Sequence, residues 1–292
     1  MRSTDATTGF LEPDPAWSAA MKNEPFFISD GDRFLPTSAG RSPWDPKFMH
    51  GRIVIGLLGQ EIERRHGGPD YMPSRLTVDM YRLPDFSAVE VQTHVVRDGK
   101  RIKVIDAEFF SGGVSMARAT SQLLLRTESP PGTVWSRPDW DAPRPADIPA
   151  PTDKRAGMNG MWATKPIEGA MGTLGPRKIW MSEVREITGG IPLTPFARVA
   201  VSSDFASPFA NAGDHGLRYI NSDVTVYLHR LPVTEWIGYE VTDHGATDGV
   251  AIGECRLYDE QGHIGASSVT ALAQRIATAA VPPPPRTPAM SK

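Results

Sequence analysis

Thr194-Pro195-Phe196-Ala197-Arg198-Val199-Ala200-Val201-Ser202-Ser203-Asp204-Phe205-Ala206-Ser207-Pro208-Phe209-Ala210 opens with a helix start and carries one carboxylate near its far end. Thr194 is a residue type that caps helices, and Pro195 suits the first helical position, where a missing N–H is no loss. Phe196, Val199, Ala200 and Phe205 recur near helical spacing, with small residues between them. The segment therefore predicts one helix over 194–210, pressed closely against a sheet. Asp204 on that helix is either an ordinary solvated acid or a group partly withdrawn from water. In the second case burial raises the carboxyl towards the range of a general base.

A segment of the same kind lies earlier. Phe48-Met49-His50-Gly51-Arg52-Ile53-Val54-Ile55-Gly56-Leu57-Leu58-Gly59-Gln60-Glu61-Ile62-Glu63-Arg64-Arg65 puts Ile53, Val54, Leu57, Leu58 and Ile62 on one side. Gly56 and Gly59 allow close approach, and His66-Gly67-Gly68-Pro69 ends the helix. Before it, Phe26 to Pro36 reads as strand, tight turn, strand. After it come four segments with β character: 74–83, 88–97, 100–110 and 114–126. Alternation such as Val89/Val91/Thr93/Val95, with turns at Asp98-Gly99 and Gly112-Gly113, makes them consecutive antiparallel hairpins. Residues 127–157 hold seven prolines and little periodicity, which predicts a linker.

Beyond the linker the order recurs: a strand over 178–186, a Gly/Pro loop, the Asp204 helix, then β segments near 218–230, 236–243, 249–259 and 263–275. Arg82-Leu83-Pro84 returns as Arg230-Leu231-Pro232, 148 residues on. Pro46 and Pro195 stand at almost the same separation, and Ala117–Ser121 aligns with Gly265–Val269. A shared offset for a loop, a helix start and a final strand implies internal duplication of a strand–helix–four-strand unit. Each half then becomes an antiparallel sheet wrapped around a central helix, and the two sheets can pair edge to edge. At this offset Gly56 stands opposite Asp204, so one half can carry chemistry that the other lacks.

The composition bounds the function. Of 292 residues, 40% are hydrophobic and 22% charged, with a net charge of −3. These are the proportions of an ordinary globular protein with no basic excess for nucleic acid. The first residues, Met1-Arg2-Ser3-Thr4-Asp5-Ala6-Thr7-Thr8, lack the apolar core of a signal peptide. No run reaches the roughly twenty apolar residues of a membrane span, so a cytoplasmic protein is expected. Cys255 is the only cysteine, which excludes an internal disulfide and a cysteine-based zinc cluster. It reads as a buried, inert thiol. Residues 1–23 read as a loosely ordered arm that Phe10, Leu11 and Trp17 could dock, and Pro282-Pro283-Pro284-Pro285-Arg286 as an extended or disordered tail.

Several stretches together carry a resemblance. Ser203-Asp204-Phe205, Asn221-Ser222-Asp223-Val224-Thr225-Val226-Tyr227-Leu228-His229-Arg230, Pro232-Val233-Thr234-Glu235-Trp236 and Gly265-Ala266-Ser267-Ser268-Val269-Thr270 resemble the C-terminal half of bacterial acyl-CoA thioesterase II. His50-Gly51 and Val96-Arg97-Asp98-Gly99 resemble that family's N-terminal unit. The resemblance implies an α+β double hotdog of two antiparallel sheets, each around a central helix. Its domains would be 24–126 and 158–278, joined by the linker 127–157, with the arm 1–23 and the tail 279–292 outside. It also implies an acyl-CoA substrate, no cofactor or metal, and a homo-oligomer.

In that family an Asp, a Thr or Ser and a Gln order a water against the thioester. Asp204 matches the Asp. Asn221 stands at the hydroxyl position with Ser222 beside it, and Thr270 stands at the Gln position. Each replacement can still hydrogen-bond, with Asn221 holding a water and Thr270 donating to Asp204. Asp204 would act as general base, and backbone N–H groups at the His50-Gly51 turn would meet the oxyanion. His50 itself is either a helix-start hydrogen-bonder or a catalytic acid. The acyl tail would lie in an apolar groove between helix and sheet.

Other motifs are missing. There is no Gly-x-Ser-x-Gly elbow, no phosphate-loop Lys pattern, and no metal-ligand spacing among His94, His229, His244 and His263. Two functions stay open: an acyl-CoA thioesterase, or a hotdog protein that binds acyl-CoA without hydrolysing it or catalyses another reaction.

Overall fold

A computed structural model describes residues 24–149 and 162–274; the expected arm 1–23, the tail 279–292 and part of the 127–157 segment lie outside the described residues. Among the described residues fifteen strands alternate with three α-helices, in the chain order that the alternating and helical patterns predict for the first half. There, β1 (Phe27–Asp30) and β2 (Arg33–Pro36) precede α1 (Gly51–His66). Next come β3 (Tyr71–Met80), β4 (Val89–Asp98), β5 (Ile102–Ser111) and β6 (Val114–Leu125). The second half holds β7 (Ala163–Glu168), β8 (Lys178–Ser182), α2 (Pro195–Ser203), α3 (Ala206–Asn211) and the small hairpin β9 (Ala212–Gly213) and β10 (Gly216–Leu217). It ends with β11 (Tyr219–Asn221), β12 (Asp223–Leu228), β13 (Ile237–Thr247), β14 (Val250–Asp259) and β15 (Gly262–Ala273).

The two expected sheets pair edge to edge into a single one. Thirteen strands run in the order β1-β2-β4-β5-β6-β3-β12-β15-β14-β13-β8-β7, with β11 also on β15. The join is the antiparallel pair β3–β12, where Thr77 faces Thr225 across the register. Pairing at that edge satisfies backbone groups that two separate sheets would leave open. Thr225 Oγ1 donates to Thr77 Oγ1 at 3.1 Å, and the two residues stand 148 apart in sequence. Residues related by the repeat offset therefore meet each other, as a two-fold axis through that point requires. The strand order reads the same from either end, and β7 takes the place of β1. The repeated unit is thus two strands, a helix and four strands, one strand more than expected.

Both central helices lie on the same side of this sheet and pack on each other. Residues 52–62 of α1 are all buried, because the sheet covers one face of the helix and α2 the other. At the crossing a Cβ on Gly59 would stand 2.6 Å from the Ala200 Cβ, and one on Gly56 would stand 3.0 Å from that of Val201.

The expected single helix over 194–210 is two. Thr194 caps α2, accepting from the Ala197 N–H at 3.0 Å. Four residues beyond Asp204 stands Pro208, which has no N–H to give the Asp204 carbonyl. That carbonyl instead accepts from Ser207 at 3.1 Å, and the helix breaks at Asp204 and Phe205. The expected strand near 218–230 is likewise interrupted, at Ser222, between β11 and β12.

The stretch expected as a linker is a strap where it is described. Trp140 stacks on Tyr258 with ring centroids 4.3 Å apart, and Trp180 Nε1 donates to the Pro143 carbonyl at 2.9 Å. Arg256 reaches the Pro138 carbonyl at 3.3 Å. No helix among the described residues is long and apolar enough to cross a membrane.

Gly59→Val would force branched carbons into the α1–α2 crossing. Overpacking of this kind costs about 1–3 kcal/mol, and chemical denaturation of the variant should show a loss in that range.

Candidate active site

The break at the end of α2 leaves Asp204 beside the first turn of α1. Only 5% of the residue is exposed. Asn221 Nδ2, from β11, donates to Oδ1 at 2.9 Å. His50 Nδ1 lies 3.3 Å from Oδ2. A Cβ on Gly51 would stand 3.5 Å from the same oxygen, so main chain at the helix start is within reach of the carboxylate. His50, Gly51, Asp204 and Asn221 are therefore brought together.

His50 Nδ1 has two claims on it. It accepts the Arg52 N–H at 3.1 Å as the helix cap, yet it also faces the carboxylate. Without a proton Nδ1 can cap; with one it donates to Asp204 and cannot also accept the Arg52 N–H.

Burial pushes the Asp204 carboxyl up. The His50 hydrogen bond and charge, the Asn221 hydrogen bond and the Arg52 charge outweigh that push and hold it below the ordinary carboxylate value. The expectation that burial raises Asp204 is thus reversed, because polar partners followed it into the interior.

Arg52 is one of these partners. Its Nη1 lies 2.7 Å from Glu183 Oε2, with both side chains at most 2% exposed. The guanidinium lies 4.8 Å from the ring centre of Phe26 and 4.6 Å from that of Trp162. Burial lowers its pKa to about 10 despite the opposing Glu183 charge. Trp162 meets His50 edge to face at 6.0 Å and Phe205 at 5.2 Å. Phe205 also meets Phe209 and Tyr239, each at 5.2 Å. Aromatic rings therefore cluster beside the carboxylate. A concave face lined by Thr77, Asp79, His94, Asp106, Glu108 and Arg118 lies on the outer side of β3–β6.

Thr270 does not donate to Asp204. Val269 and Ala271 are buried and Thr270 between them is exposed, since neighbours on a strand point to opposite faces. On the outer face its Oγ1 donates to Asp223 Oδ1, which also accepts the Thr270 N–H at 2.7 Å. Ser222, also exposed, sits 3.1 Å from Thr270 Oγ1 and not beside Asp204. Asp223, Trp162, Arg52 and Glu183 were not singled out from the sequence. Asp223 stands within a stretch quoted above, whereas the Arg52–Glu183 pair spans 131 residues and leaves no local trace. Burial pushes the Cys255 thiol up, away from reactivity.

Glu183→Ala would strand the Arg52 cation in the interior. Removing one partner of a buried pair costs about 3–5 kcal/mol, which denaturant unfolding should register. The depressed Asp204 pKa stabilises the folded state above the ordinary Asp value of about 4. That contribution disappears as pH falls through the lower folded value, so Asp204→Asn should flatten the acid limb of a stability–pH curve.

Two family models match the chain: an acyl-CoA thioesterase N-terminal domain over residues 40–123 and an acyl-CoA thioesterase C-terminal domain over residues 139–272. No curated protein matches it. Among solved structures, a hot dog fold protein of unknown function from Alicyclobacillus acidocaldarius superposes with a TM-score of 0.68 at 17% identity, covering 88% of this chain and 98% of that one. A tesB protein of Mycobacterium avium subspecies paratuberculosis gives 0.64 at 15%, covering 88% and 98%. An acyl-CoA thioesterase II of Mycobacterium marinum gives 0.62 at 15%, covering 84% and 94%. Such distant likenesses show the hotdog fold, and the two domain models, in order along one chain, show the family. This chain belongs to the acyl-CoA thioesterase family, with the N-terminal domain of that family followed by its C-terminal domain.

Proposed function

We propose that the chain hydrolyses an acyl-CoA to the free acid and CoA, with the Asp204 carboxylate as general base on a water. The observation that carries this reading is the meeting of Asp204, Asn221 and the first turn of α1 at one point. A low pKa keeps the base ionised at neutral pH. Asn221 orients the carboxylate and offers an amide to the water.

The water attacks the thioester carbonyl while its proton passes to Asp204. The resulting oxyanion is met by the Gly51 N–H, since the His50 N–H is bound to the Gly40 carbonyl at 2.9 Å, and is helped by the positive end of the α1 dipole. Collapse breaks the C–S bond, and the CoA thiolate leaves with the proton that Asp204 took up. Gly51, without a side chain, lets the thioester approach main chain. In this reading Ser222 and Thr270 act at one remove, fixing Asp223 and the β11–β12 junction that presents Asn221.

The same reading takes residues 24–126 and 158–278 as duplicated hotdog units of a double hotdog, with 127–157 between them. It also takes the protein as a cytoplasmic homo-oligomer. A second reading, binding of acyl-CoA without hydrolysis, is favoured by the outward turn of Thr270 and by the engagement of both Asp204 oxygens.

Free-thiol release from a panel of short, long, branched and aromatic acyl-CoA esters decides between them. Hydrolysis predicts turnover by the wild type and a loss of at least about 100-fold in Asp204→Asn, the scale of a general base. No turnover, with acyl-CoA raising the melting temperature of both proteins alike, favours the second reading.

A further inference from the structure

Trp162 stands immediately before β7, 4% exposed, and its indole Nε1 is buried without a hydrogen-bond partner among the described residues. An indole N–H can only donate, and buried ones ordinarily find an acceptor. This one is unmatched in the ring that touches three neighbours of Asp204. Its centroid lies 6.0 Å from that of His50 and 5.2 Å from that of Phe205, and the Arg52 guanidinium stands 4.6 Å from it. A cation over the indole face draws density from the ring and strengthens the N–H as a donor. The cap contributes a second observation, because the Arg52 N–H that the helix start would offer is occupied by His50 Nδ1. The helix start is therefore short of one donor, and the ring that carries an unused one packs beside it.

We propose that the Trp162 indole N–H donates to the carbonyl oxygen of the bound acyl thioester, completing the oxyanion site with the first turn of α1. The acceptor's identity rests on the hydrolase reading above. Trp162 forms no bond to carbon; it holds the oxygen as its charge grows, and releases it when the C–S bond breaks.

Two measurements test this. Trp162→Phe keeps a ring against Arg52, His50 and Phe205 and deletes the donor together with part of the indole's volume. Its kcat on the best acyl-CoA of the panel should fall about 100- to 1000-fold, the range for removing one oxyanion donor, with KM within about threefold and the protein still folded at the assay temperature. A kcat/KM within twofold of wild type overturns the proposal.

The second measurement needs no turnover. In the full chain labelled with ¹⁵N-tryptophan, the Trp162 indole resonance should move downfield with an acyl-CoA analogue that replaces sulfur by CH2 and keeps the carbonyl. A thioether analogue without the carbonyl should leave it in place. Both analogues bound with no difference between them also overturns the proposal. A carbonyl-dependent shift in a wild type that hydrolyses nothing would support the Trp162 contact while the hydrolase reading fails.

Discussion

The crossing of α1 over α2 at Gly56 and Gly59 is the constraint on which the site depends. The helices approach until the Ala200 methyl lies where a Gly59 side chain would begin. At that separation the start of α1 is carried onto the end of α2, and the loop bond from the His50 N–H to the Gly40 carbonyl, 2.9 Å, helps to hold His50 and Gly51 at Asp204. Arg52 and Glu183 pin the same junction from below, between two aromatic rings. Packing of apolar helices thus sets the spacing of polar groups, and the buried ion pair fixes their register.

The repeat places the candidate cluster in one half and not in the other. Moving back 148 positions, Asp204 becomes Gly56, His50 corresponds to Arg198, and Asn221 becomes Pro73. None of the three can rebuild the carboxylate cluster. Gly56 is needed bare against Val201, and Arg198 donates to the Glu183 carbonyl at 2.6 Å, supporting the other site's ion pair. The second position has become scaffold for the first.

Much of this was legible in the chain itself. Helical spacing located α1 and the start of α2, and two-residue alternation located the four long strands of the first half. The repeat offset carried over to the Thr77–Thr225 pair, which joins the halves. The break at Asp204 was legible too, through Pro208, but the helical period of Phe196, Val199 and Phe205 masked it. Thr270 shows the same lesson from the other side. Matching it to a family position placed it on Asp204, whereas reading the flanking Val269 and Ala271 as the inward pair would have turned it outward. Trp162, Glu183 and the Trp140 strap act across long separations, so no window of sequence contains both partners.

The β3–β12 seam has a kinetic meaning as well. Hairpins within each half pair residues a few positions apart, but the seam closes a loop of 148 residues. Such long-range pairing raises contact order and slows the step that forms it. Until it closes, each half exposes a bare sheet edge, the surface through which identical chains add to one another. The newly made chain is therefore most exposed to aggregation after its halves have folded and before Thr77 meets Thr225.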